Sequence, residues 1–275
     1  MAAESSAYLK KRQGQIRASV AASIIRYKKI DNISLTSIPL DLDCRLRLAD
    51  VKTKGLFLAR MIAFFESARE NLRTAIDLLN LHRVSRSSEL ILLRSSIESS
   101  SYMIWLLSIP NIKNQVFSVL RLIKEETKNV DQVLNISVES PPEPAPVISE
   151  TLKWIDCQLE ELKRGTRRRT TSGTVPKSKV VENADISYCK GKGSRLSVTG
   201  QVAWKMCSAV AHGNLAAFYA SGGKHTDLPD YELDGAMSRI VGRDAILASS
   251  LTPAVENLEY SLDLYRQLSI GSRQG

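Results

Sequence analysis

Apolar residues recur at three- and four-residue steps along most of the chain, the spacing that lines one face of an α-helix. Ile16, Val20, Ile24 and Tyr27 predict a first helix over residues 6–29. A loop with Asn32, Ser34 and Pro39 follows, and Asp41 or Asp43 is placed to cap a long second helix reaching about residue 81. Leu48, Val51, Leu58, Ile62, Phe65, Leu72, Ile76 and Leu79 hold one face of that helix, and Gly55 weakens it by ~1 kcal/mol relative to alanine. The serines of 85–88 offer caps for a third helix ending before Pro110, which opens a fourth reaching about residue 136. Pro141, Pro142, Pro144 and Pro146 make 137–148 a stiff extended connector. A short helix through Trp154, Leu159 and Leu162 comes next, then a sixth over about 198–220 and a last over 230–268, interrupted or kinked near Pro253. No stretch alternates apolar and polar residues as a strand does. The pattern predicts an all-α bundle of about six to seven helices in a single domain, 1–275.

Composition adds little to that picture, and charge adds more. Aromatic residues are only 6%, so the core is built from Leu, Ile, Val and Ala. The most apolar run, 102–109, is far shorter than the ~20 residues that cross a bilayer, and no membrane association is expected. The amino-terminal residues are polar and charged, unlike a secretory leader. Cys44, Cys157, Cys189 and Cys207 are scattered, which fits a reduced, cytoplasmic setting and neither a disulfide framework nor a zinc site. His82, His212 and His225 form no ligand spacing, so no metal and no cofactor are expected. The formal net charge is +9, and ten Lys or Arg against two carboxylates over 163–195 carry +8 of it. That segment, 165–195, is rich in Thr, Ser, Gly, Lys and Arg and predicts a long, flexible basic loop. Arg167, Arg168, Arg169, Lys177 and Lys179 would supply phosphate contacts to RNA or DNA. Tyr188 is the only aromatic within it, so the segment offers no stacking platform of its own.

Two helices carry polar residues inside apolar faces. On the third, Arg94 and Glu98 are four apart, with Ser101 and Trp105 continuing the row. On the sixth, Trp204, Ser208 and His212 have the same spacing, and Gly213 follows. Charges set in an apolar face must be paired. The set Arg94, Glu98, Ser208 and His212 therefore reads in two ways. It is a polar site, with His212 as general base and Arg94 orienting an anion, or a buried network fixing helix register; the pattern favours the network. No nucleophile elbow or glycine-rich phosphate loop accompanies it.

These residues resemble the R-x-x-x-E and S-x-x-x-H-G signatures of a group of bacterial helical proteins without assigned function, distantly similar to the HEPN superfamily of helical-bundle nucleases and toxins. The matching positions are Arg94, Glu98 and Trp105, then Trp204, Ser208, His212 and Gly213. The resemblance implies a link to toxin–antitoxin or phage-defence systems. It also implies metal-independent RNA cleavage by His212 with Arg94 or Lys205. Catalytic HEPN members resemble R-x(4–6)-H, whereas Lys205 here stands with six residues before His212 and lacks the planar fork of arginine. The reading is a non-enzymatic cytoplasmic binding or regulatory module, with a HEPN-like ribonuclease or nucleic-acid binding through the basic loop as alternatives. A protein partner and a homo-oligomer both remain compatible with it.

Overall fold

The computed structural model describes residues 2–80, 88–137, 146–163, 175–193, 199–212 and 233–271, with side chains described over 11–80, 88–129, 149–163, 175–193, 199–212 and 245–271. Those residues form nine α-helices and one short 3-10 turn, Leu35–Ser37, and no strand. In chain order the helices are α1 (Ala2–Lys28), α2 (Arg45–Lys52), α3 (Leu56–Asn80), α4 (Ser88–Ser108), α5 (Ile112–Ser137), α6 (Pro146–Lys163), α7 (Lys177–Lys192), α8 (Gly200–Ala211) and α9 (Leu233–Ser269).

Two local effects raise the number above seven. The long second helix is broken at Lys54 and Gly55, both in the left-handed region (φ 53° and 87°). Asp50 holds the break from both sides: its carbonyl accepts the Gly55 N–H, and its Oδ1 accepts the Leu58 N–H at 2.9 Å. Thr53 Oγ1 meanwhile accepts the Phe57 N–H at 3.0 Å, capping α3. Residues 177–192, expected as basic loop, form α7. That helix buries Val180, Val181, Ala184, Asp185 and Tyr188, and a face of that size cannot belong to a solvated loop. The run Arg167–Arg169 and the flanks 164–174 and 194–198 lie outside the described residues.

Other boundaries also moved. Asp41 does not cap α2; Cys44 does, its sulfur accepting the Arg47 N–H at 3.4 Å. Asp41 instead ties the α9 end, its N–H donating to the Ser269 carbonyl and its Oδ2 accepting the Gly271 N–H. Of the proline connector, 138–145 lies outside the described residues, and Pro146 opens α6, a position where its missing N–H costs nothing. α9 runs through Pro253 without interruption, because residues on both sides of it are buried and packing outweighs one lost backbone bond.

The bundle is organised around α4, which packs against α3, α9, α7 and α8 and touches α5. Its apolar positions are spread around the axis, as in a helix with almost no solvent side. Leu93, Ile97, Met103, Ile104 and Leu106 have no exposed surface, and neither do Ser96, Ser100 and Ser101, small residues that let neighbours come close. α1 runs parallel to α9, since Ser19 and Ser23 meet Thr252 while Arg26 meets Glu256 and Glu259. At the other end α5 and α6 pair as a hairpin, and Lys54 stacks 4.8 Å from the Trp154 ring centroid of α6. Glu126 of α5, a surface carboxylate by its charge pattern, is ion-paired to Arg60 of α3.

The glycines give a test with opposite signs. A Cβ at Gly191 would meet the Tyr260 hydroxyl at 2.3 Å, whereas one at Gly14, in mid-α1, meets nothing within 4 Å. Gly191→Ala should lower the urea midpoint by the equivalent of ~1–3 kcal/mol. Gly14→Ala should raise it by up to ~1 kcal/mol.

Candidate functional site

The two polar rows meet. α4 and α8 cross antiparallel, so Arg94 faces Ser208 while Glu98 faces Trp204. Arg94 Nε donates to Ser208 Oγ at 2.7 Å, and the guanidinium carbon lies 5.5 Å from the Trp204 ring centroid. Trp204 Nε1 donates to Glu98 Oε2 at 3.2 Å, and Arg94 Nη2 stands 3.7 Å from the same oxygen. The other carboxylate oxygen, Oε1, accepts Lys177 Nζ at 2.6 Å from the first turn of α7. Glu98 thus gathers donors from three helices. Its side chain is only 15% exposed and that of Arg94 23%, where pairing is needed to offset lost hydration.

The same register explains what stays outside. One turn past Ser208 comes His212, at the end of α8 and beyond the Arg94–Ser208 contact. His212 is the C-cap residue of α8 and is exposed, and among the described residues its side chain makes no bond to Arg94 or Glu98. The structure brings Arg94, Glu98 and Ser208 together and leaves His212 at the rim. Lys205 is exposed on α8, and Gly213 lies outside the described residues. In the other direction Trp105 falls beyond the start of α8.

Lys177 enters the cluster unforeseen, because its segment was expected to be a loop. Lys179 pairs with Glu182 at 2.7 Å and Lys192 with Asp263 at 2.8 Å, so three of the four lysines of α7 are matched by carboxylates within the chain. These pairs are partly exposed and individually weak. Nor is the rest of the chain evenly neutral. Residues 1–29 hold seven Lys or Arg against Glu4, and 138–162 hold six carboxylates against Lys153.

A second polar anchor lies nearby. Asp185 of α7, 7% exposed, accepts the Gly200 and Gln201 N–H groups at 3.0 and 2.8 Å and so holds the N-terminus of α8. Burial pushes its carboxyl above the usual value, opposed by hydrogen bonds from Gln201, Thr199 and Gly200. A Cβ at Gly200 would meet Asp185 Oδ1 at 2.7 Å, so this close approach requires glycine. On the far side of α8, Cys207 donates to Ser250 Oγ at 3.3 Å, and burial pushes its thiol up to about 11, leaving it a packing residue.

Among the described residues no group of three or more His, Cys, Asp or Glu is placed to hold a metal, and no helix is long and apolar enough to cross a membrane. No protein-family model, no curated protein and no solved structure matches the chain.

Two measurements test this geometry. Glu98→Ala should cost about 2–3 kcal/mol in urea unfolding, somewhat less than the ~3–5 kcal/mol of a fully buried pair. Glu70→Ala, at an exposed site, should change stability by less than ~0.5 kcal/mol. For Asp185, a folded pKa above the unfolded ~3.9 means that the folded chain binds the proton more tightly. Stability from this group therefore grows as pH falls through the folded value and is complete below the unfolded one. The urea midpoint of the parent, relative to Asp185→Asn, should rise from pH 7 toward ~4.

Proposed function

We propose that this chain is a non-enzymatic helical binding module, in which Arg94, Glu98, Ser208, Trp204 and Lys177 form a clasp between α4, α7 and α8 rather than a reaction centre. The observation that carries the reading is that both Glu98 carboxylate oxygens are engaged by donors of the same chain. Arg94 places Nε on Ser208 and its face against Trp204. A reaction centre needs a base within hydrogen-bond reach of a reacting group and capacity left over for substrate. The imidazole of His212 is exposed at the end of α8, beyond the Arg94–Ser208 contact.

Incubating the purified protein with end-labelled RNA in EDTA tests this. The binding-module reading expects no cleavage above that of a His212→Ala, Arg94→Ala double variant. Metal-independent cleavage lost in that variant would replace it with the ribonuclease reading.

A further inference from the structure

Residues 5–30, most of α1, hold seven Lys or Arg and no carboxylate. Arg26 is spent on α9, with Nη1 on Glu256 at 2.9 Å and Nη2 on Glu259, and Asp31 just past the helix is held by Tyr27 and Arg73. Lys11, Arg17, Lys28 and Lys29 are exposed, and among the described residues their side chains make no hydrogen bond or ion pair. α1 packs mainly on α9 and turns Val20, Ser23, Ile24 and Tyr27 inward, which leaves its opposite side open. The four free cations fall in two rows along that side. Lys11 and Lys29 are eighteen residues apart, about five turns and ~27 Å, and the Lys29 N–H still bonds the Arg26 carbonyl at 3.1 Å. Arg17 and Lys28 are eleven residues apart, about three turns. The rows stand roughly 110° apart around the axis, with Gly14, Ala18, Ala21 and Ile25 exposed between them.

We infer that the open face of α1 docks into the major groove of duplex DNA, with Lys11 and Lys29 on the phosphates of one strand and Arg17 and Lys28 on those of the other. Four unpaired cations on one rod complement a polyanion, whose counterions they displace on binding. Shape selects the duplex. A helix is ~10–12 Å across and the groove is ~12 Å wide, so cation rows on either side of the exposed face meet its two rims. The side chains between the rows carry no donor or acceptor for base edges, and binding is therefore indifferent to sequence. Other polyanions match this face less well. A single strand stacks its bases on aromatic rings, and Tyr27, the only aromatic of 11–30, is buried. A bilayer surface takes up bulky apolar side chains, of which the open face offers only Ile25. An RNA duplex has a major groove too narrow for a helix to enter.

The inference names a partner for the binding-module reading and rests on it. The two fail separately, since cleavage of RNA bears on the clasp and absence of DNA binding bears on α1. Fluorescence anisotropy of a short labelled DNA duplex of mixed sequence is measured against the full chain over a range of salt. The duplex should bind at low salt, and log affinity should fall against log salt with a slope near about −3.6, the value for four phosphate contacts. The double variants Lys11→Ala with Lys29→Ala, and Arg17→Ala with Lys28→Ala, should each weaken binding and reduce that slope by roughly 1.8, two contacts. Lys153→Ala, an exposed lysine of α6, should change neither quantity. An RNA duplex of the same sequence should bind at least about fivefold more weakly. No binding of the DNA duplex, an unchanged slope in both double variants, or equal affinity for the RNA duplex would overturn the inference. So would retention on phosphatidylserine vesicles that is lost in the same variants. All four substitutions are at exposed positions, circular-dichroism melts confirm folding, and either double variant alone keeps the test open.

Discussion

A helix with almost no solvent side must find an internal partner for every charge it carries. α4 is in that position: α3, α9, α7 and α8 all pack on it, and Ser96, Ser100 and Ser101 on its surface are fully buried. Serine is a tolerable guest there, because its hydroxyl can bond within its own helix, as Ser100 does with the Ser96 carbonyl at 2.8 Å. Arg94 and Glu98 are not, since unpaired charge away from water is far more costly than an unpaired hydroxyl. The positions of α7 and α8 follow from that requirement. α8 brings Trp204 and Ser208, α7 brings Lys177, and Asp185 of α7 then fixes the start of α8 through two backbone N–H groups. The two outer helices are thus tied to α4 and to each other by the same small set of polar contacts.

That requirement also separates structural from functional polarity. The Arg94–Glu98–Ser208 set joins α4 to α8 through contacts within the chain. Both Glu98 oxygens and Arg94 Nε are engaged within the chain, and the one titratable base on the same row, His212, is exposed at the end of α8, past that contact. Trp105 lies beyond the first turn of α8, and there the α5 and α7 side chains gather around it.

Much of this was legible in the sequence because both rows have a spacing of four. Arg94 with Glu98, and Trp204 with Ser208, could be placed on single faces, and the need of buried charges for partners foretold that the faces meet. The antiparallel crossing was not legible, and it is what sends His212 to the rim and leaves Trp105 beyond the start of α8. α7 was missed although Val180, Ala184 and Tyr188 are spaced by four, because lysines and glycines around them read as a solvated loop. The break at Lys54 and Gly55 was seen only as a weakening; its cause, a pair of left-handed residues secured by Asp50 and Thr53, lies in backbone geometry that periodicity does not encode. Lys177 as a partner of Glu98 depends on α7 being a helix packed against α4.

The central claim is that Glu98 holds α7 and α8 to α4. Native-state hydrogen exchange on Glu98→Gln, which keeps the shape and removes the charge, tests it most directly. The account predicts that backbone amides of α7 and α8 lose protection together while those of α3 keep the protection of the parent. Unchanged protection in α7 and α8, or a uniform loss across all helices, would contradict it.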